Sequence, residues 1–98
     1  MRLAGTTALA SLTGQHETRL SGSSYQFDGP EAIAYDGSHL WITNASGNSV
    51  TEINATDGSW VNTLSGGNYG FDVPVGITYD GHLWIANEGG NSVTAIQG

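Results

Sequence analysis

The sequence predicts an all-β fold built from repeated four-stranded antiparallel units, and three observations carry that expectation. A long motif recurs: Phe27-Asp28-Gly29-Pro30-Glu31-Ala32-Ile33-Ala34-Tyr35-Asp36-Gly37-Ser38-His39-Leu40-Trp41-Ile42-Thr43-Asn44 returns as Phe71-Asp72-Val73-Pro74-Val75-Gly76-Ile77-Thr78-Tyr79-Asp80-Gly81-His82-Leu83-Trp84-Ile85-Ala86-Asn87. The copy runs on, with Gly47-Asn48-Ser49-Val50-Thr51 matched by Gly90-Asn91-Ser92-Val93-Thr94, giving a period of about 43 residues. Within each copy the side chains alternate with period two, as in strands. Turn residues recur every few positions, which leaves no room for helices of ordinary length.

The elements follow in order. Residues 1–22 read as the outer strands of an incomplete preceding unit, because Leu9, Gly14 and Leu20-Ser21-Gly22 match Ile53, Gly58 and Leu64-Ser65-Gly66. Strands are expected near Thr7–Leu9 and His16–Leu20. Residues 23–66 hold one complete unit. Its first strand, Ala32–Tyr35, ends at Asp36-Gly37, a pair favoured in tight hairpin turns because both residues tolerate positive φ. The second, His39–Thr43, is followed by the turn Ser46-Gly47-Asn48, and the third, Ser49–Asn54, by Thr56-Asp57-Gly58. The fourth, Trp60–Leu64, runs into the glycine-rich Ser65-Gly66-Gly67-Asn68. Residues 67–98 supply three strands of a second unit, between Gly76 and Ile96.

Leu40 and Ile42 point to one face, and His39, Trp41 and Thr43 to the other; Val50 and Glu52 likewise oppose Thr51 and Ile53. Both faces carry bulky groups, which suits a sheet covered on two sides. The expected core is Ile33, Leu40, Trp41, Ile42, Val50 and Ile53, with their repeats Ile77, Leu83, Trp84, Ile85, Val93 and Ile96.

Composition narrows the function. The chain has 98 residues, a net charge of −7, two arginines and no lysine, so it would repel phosphate backbones and anionic lipid; neither nucleic acid nor a membrane is an expected partner. It has no cysteine, which excludes disulfides and thiolate metal sites. No apolar run nears the roughly 18 residues of a membrane-spanning helix. The start, Met1–Ala10, carries an early positive charge, but Gly5, Thr6 and Thr7 break its apolar stretch and it fits the repeat, so it reads as repeat rather than signal peptide. A domain this small buries limited surface, and a partner chain is a reasonable extra source of stability.

Four strands per unit, repeated side by side with both faces covered, describe β-propeller blades. The pattern Phe-Asp-x-Pro-x-x-Ile-x-Tyr-Asp-Gly-(x)-His-Leu-Trp-Ile-x-Asn followed by Gly-Asn-Ser-Val-Thr resembles the NHL and YncE-like propeller repeats, including those of streptogramin-lyase-like proteins, over about residues 7–98. The resemblance implies six or seven blades in one long chain, whereas this sequence holds about two. Two wedge-shaped blades cannot close a ring. The spare strand His16–Leu20 is therefore expected to complete the second blade of another copy by pairing with Ser92–Ile96, the sticky edge that the missing fourth strand leaves. Head-to-tail contacts of this kind close into rings, so the expected partner is the chain itself: a six-bladed homotrimer is favoured and an eight-bladed tetramer is the alternative. Residues 1–14 would be surplus, frayed or on the outer rim. The rival expectation is a fragment or engineered piece of a longer propeller.

Trp41 and Trp84 are expected between blades, and Trp60 on the rim. His39 and His82 have no recurring ligand at metal spacing, and no His–Glu constellation is visible, so structural hydrogen bonding is expected of them. Asp28, Asp36, Asp72 and Asp80 belong to no dense Asp-x-Asp-x-Asp loop and are expected to stabilise turns. Asn44 and Asn54 head glycosylation sequons short enough to arise by chance. Tyr25 and Tyr69, in loops between blades, and Asn44 and Asn87, at strand ends, are the candidate binding residues for a small polar ligand, glycan or peptide. No catalytic residue, metal or cofactor is expected. The favoured function is a non-enzymatic, self-assembling binding or structural scaffold. Two alternatives stand beside it: a metal-dependent lyase, which the resemblance to streptogramin lyase suggests, and a multivalent glycan-binding propeller.

Overall fold

In the computed structural model, residues 18–97 are described. They form seven strands: β1 (Pro30–Tyr35), β2 (His39–Asn44), β3 (Ser49–Asn54), β4 (Trp60–Leu64), β5 (Pro74–Tyr79), β6 (His82–Asn87) and β7 (Ser92–Gln97). A 3-10 turn, Ser23–Tyr25, precedes them. The strands make two antiparallel sheets, β1-β2-β3-β4 and β5-β6-β7, each a meander in chain order. We call them sheet 1 and sheet 2. The fold is all-β, and the strand positions match the sequence-based expectation to within two residues.

The repeat is written into the register. Ile33 pairs with Ile42, Ala34 with Trp41 and Tyr35 with Leu40; in sheet 2 Ile77 pairs with Ile85, Thr78 with Trp84 and Tyr79 with Leu83. Each sheet carries a register shift just after its first proline, between Pro30 and Ala32 and between Pro74 and Gly76, as expected of a residue with no N–H to give the ladder. The hairpins differ from expectation in one detail. Only the glycines, Gly37 (φ 102) and Gly81 (φ 107), take positive φ; each aspartate instead caps its turn through its carboxylate.

The two sheets stack. Trp41 and Val50 of sheet 1 pack on Leu83 and Ile85 of sheet 2, with Phe71 from the connecting segment, and Leu64, Ile77, Tyr79 and Ile96 around them. Cross-strand partners share a face, so the packed surfaces are the Trp41/Val50 face of sheet 1 and the Leu83/Ile85 face of sheet 2. Val50, Leu83 and Ile85 are fully buried, and each such side chain contributes about 1.5–3 kcal/mol relative to exposure.

Three residues expected in the core lie outside it. Ile33 (58 % exposed), Trp84 (41 %) and Val93 (64 %) are on the far faces of the two sheets, where the described residues supply no further layer. The expected N-terminal strands fare differently: Thr7–Leu9 and residues 16–17 fall outside the described residues, as does the surplus segment 1–14. Thr18–Leu20 are described and are not in a strand. Leu20 instead lies over Gly58, where an added Cβ would come within 3.0 Å of Leu20 Cδ1.

Candidate functional site

Asn44 ends β2 and Asn87 ends β6, and both are buried. A buried amide needs partners for its donors and its acceptor, and each asparagine has them. Asn44 Nδ2 donates to Ser49 Oγ (3.1 Å) and Thr51 Oγ1 (2.9 Å), while Oδ1 accepts from the Asp28 N–H (3.2 Å). Thr51 Oγ1 in turn donates to the Tyr25 carbonyl (3.1 Å). The repeat reproduces every link: Asn87 to Ser92 (3.3 Å) and Thr94 (2.9 Å), Asp72 N–H to Asn87 (3.2 Å), and Thr94 to the Tyr69 carbonyl (2.7 Å).

Tyr25 stacks flat on Phe27 (centroids 5.3 Å, planes 2° apart), and Tyr69 on Phe71 (5.2 Å, 3°). The Tyr25 hydroxyl also donates to the Gly58 carbonyl (2.9 Å). The four candidate binding residues therefore form two copies of a latch that ties the incoming segment to its sheet. The two asparagine amides and the Tyr25 hydroxyl are engaged internally, and the buried Asn44 offers no side chain for glycosylation.

A second cluster surrounds His39. Its Nδ1 lies 3.9 Å from Asp36 Oδ2 and its Nε2 3.7 Å from Glu52 Oε2. A His–Glu pair is not legible from local spacing here, because Glu52 reaches His39 only through the β2–β3 register, which sets Trp41 opposite Glu52. Asp36 accepts from the Ser38 N–H (2.8 Å), the His39 N–H (2.7 Å) and the Trp41 indole (2.9 Å). Burial pushes the Asp36 pKa up, but these donors and the nearby His39 outweigh it and hold the carboxyl below its usual range. Burial raises Glu52, and His39 only partly offsets this.

In sheet 2 the Trp84 indole (2.7 Å) and the His82 N–H (3.4 Å) donate to Asp80 and lower its pKa. Ala95 stands opposite Trp84 where Glu52 stands opposite Trp41, and His82 contacts Gln97 instead (3.1 Å between nitrogens). Among the described residues no group of three or more His, Cys, Asp or Glu side chains could hold a metal ion. The contacts at Asp36 and Asp80 fix turns and tryptophan rings. The aspartate-to-indole bond was missed from the sequence, although an aspartate recurs four or five residues before each of these tryptophans.

What remains free is the perimeter. In sheet 1, β3 is flanked by β2 and β4; its counterpart β7 has β6 on one side and, among the described residues, no strand on the other. Four of the six exposed large hydrophobic residues are Ile33, Tyr35, Trp84 and Val93, all on the sheet faces turned away from the in-chain contact. The other two, Trp60 and Val61, lie on β4, and the Trp60 indole donates to Thr63 Oγ1 (2.9 Å). Beside Ile33, a groove of about 240 Å³ is lined by Pro30, Glu31, Ala32, Ile33 and Ile42. The open edge and outer faces, rather than the latch residues, form the candidate functional site. The chain matches no known protein-family model, and a search of curated proteins finds no match either.

Proposed function

We propose that this chain is a non-enzymatic, self-assembling β-propeller module, a binding or structural scaffold whose units are NHL/YncE-like blades and whose ring closes by strand exchange between copies. The observation that carries this reading is the open edge of β7. Its counterpart β3 is paired along Val50–Ile53 with β4, through Val50 to Leu64 and Thr51 to Thr63. The repeat therefore defines what β7 lacks: a strand ending in Leu-Ser-Gly, which Leu20-Ser21-Gly22 supplies in sequence. An unpaired edge of β-branched and apolar residues is a template for another chain.

Ring closure by a heterologous contact gives whole numbers of chains, and three two-blade chains make six blades. A ligand-binding role would use surfaces of the assembled ring, since Tyr25, Asn44 and Asn87 are engaged through their side chains within each unit.

Light scattering behind a sizing column tests the reading. A single species of about 31 kDa, three times the 10.2 kDa chain, is the expected result for the favoured ring, and four chains would mean eight blades. A folded monomer would sink the proposal.

A further inference from the structure

We propose that the outer face of sheet 1, around Ile33 and Tyr35, and the outer face of sheet 2, around Trp84 and Val93, are the two halves of one head-to-tail interface, each occupied by a second copy of this chain. This rests on the self-assembly reading and names the surfaces that carry it, independently of the β7 edge.

The in-chain contact between the sheets is the template. It joins the Trp41/Val50 face of sheet 1 to the Ile77/Tyr79/Leu83/Ile85 face of sheet 2. Four residues of that contact have repeat partners on the opposite side of the molecule that are left exposed, while Ile42 and Ile53, the partners of Ile85 and Ile96, are buried there. Trp41 is 7 % exposed and Val50 fully buried, while their counterparts Trp84 and Val93 are 41 % and 64 % exposed. Ile77 and Tyr79 are half-buried, and their counterparts Ile33 and Tyr35 are each 58 % exposed.

The chemistry of the bare faces says what fits them. On the outer face of sheet 1, Ile33, Tyr35, Leu40 and Ile42 repeat Ile77, Tyr79, Leu83 and Ile85 without a change. A surface that receives a Trp-and-Val face within the chain is thus duplicated where no such face is present. Among the described residues the matching Trp-and-Val face is that of sheet 2, and it points the opposite way across the stack. It can reach sheet 1 only from another copy. The groove beside Ile33 corresponds to the part of β5 against which β1 and β2 pack in the chain; in the assembly β5 and β6 of the next copy would lie there.

A polar contact points the same way. Asn48 Oδ1 accepts from the Val73 N–H (2.8 Å) and stitches sheet 1 to the segment entering sheet 2. Asn91 repeats Asn48 with the same left-handed backbone (φ 51 against 52) and is exposed. Gly29 repeats Val73, again with positive φ (69 against 53). Asn91 of one copy is the acceptor for the Gly29 N–H of the next.

A head-to-tail interface makes a prediction that a two-fold one does not. Ile33→Arg spoils one half and Val93→Arg the other, both at exposed positions, so each variant keeps its circular dichroism. Either variant alone should run as a monomer, because every joint then contains one spoiled half. Mixed in equal amounts, they should form a 1:1 heterodimer and stop there, since the one sound joint leaves only spoiled halves outside. Tyr35→Arg and Trp84→Arg carry the same test should either first choice unfold.

If the wild type is an oligomer and Ile33→Arg or Val93→Arg keeps its mass, these faces are not the joint and the inference fails while self-assembly stands. If one variant dissociates and the other does not, or the mixture stays monomeric, the head-to-tail pairing is wrong. A monomeric wild type overturns the self-assembly reading first, and would mean that another segment of the same chain covers these faces.

Discussion

Asn44→Ala tests the latch most directly. The substitution removes three hydrogen bonds, those from Asn44 to Ser49 and Thr51 and that from Asp28 to Asn44. At a side chain with no solvent exposure, water does not replace the lost partners. At about 0.5–1.5 kcal/mol per bond, with the Asp28 amide stranded, the loss should be about 2–4 kcal/mol. A small domain has about 5–15 kcal/mol in total. The assay is equilibrium urea unfolding followed by tryptophan fluorescence. With a slope of about 1.5 kcal/mol per molar, the midpoint should fall by about 2 M. Asn87→Ala should cost a similar amount, because its partners repeat link for link. Asn44→Asp keeps the acceptor for Asp28 but loses both donors and buries a charge, so it should be at least as damaging as alanine. A loss below about 0.5 kcal/mol for Asn44→Ala would refute the claim that this amide holds the incoming segment, and would return Asn44 to the list of ligand contacts.

Three further outcomes follow from particular contacts. A Cβ on Gly29 would sit 2.6 Å from Ser46 Oγ at positive φ, while the repeat pairs Val73 with Gly89; Gly29→Val should therefore cost about 2 kcal/mol or more, and Ser46→Gly should restore a measurable part of it in a double-mutant cycle. Strict additivity in urea unfolding would contradict the coupling. The pH profile should have two limbs. Asp36 and Asp80 are held low in the folded chain, so their stabilisation is complete above about pH 4 and lost as the pH falls through the folded values. Glu52 is held high, so its contribution is present in acid and lost as the pH rises through its folded value. Glu52→Gln should raise Tm at pH 7 and leave the acid limb in place, whereas Asp36→Asn should shrink that limb; a Tm that drops at pH 7 on Glu52→Gln would mean that the contact with His39 outweighs burial. Finally, each copy carries a charge of −7 and the proposed joints are largely apolar, so association should strengthen between about 20 and 500 mM NaCl as repulsion is screened. A mass that falls with salt would assign the joints to ion pairs.

Much of the fold was legible because the repeat prints the same local instructions twice. Asp-Gly turns, two-residue alternation and the Gly-Asn-Ser turn place β1–β3 and β5–β7 from nearest-neighbour chemistry alone, and β3 and β4 fall where they were expected to. Burial was less legible. Ile33 and Ile77 are the same letter in the same motif, yet only Ile77 is packed against a second sheet. Local sequence cannot tell them apart, because the difference lies in which side of the stack each face occupies. The internal partners of Asn44 and Asn87 were not legible for another reason. Asparagine at a strand end is as good a surface residue as a buried one, and only the hydroxyls of Ser49 and Thr51, which the β2–β3 hairpin brings alongside, reveal an internal partner. The His39–Glu52 approach likewise depends on register across two strands.

The differences between the repeats are as informative as the identities. Ile33, Tyr35, Leu40 and Ile42 are copied unchanged, whereas the face that meets them varies from Ala32, Thr43 and Glu52 in sheet 1 to Gly76, Ala86 and Ala95 in sheet 2. These three changes are each to a smaller residue on the face that is exposed in one chain, while Ala34 becomes Thr78 and Asn54 becomes Gln97 on the same face. A face adapted only to water would gain from charged side chains there, and this one keeps tryptophan and valine while losing a carboxylate. Loss of Glu52's counterpart removes the one charge whose burial is unfavourable in the in-chain contact. The outer face of sheet 2 is thus better suited to being covered than the sheet 1 face that is already covered, which is the direction of change an interface between copies requires.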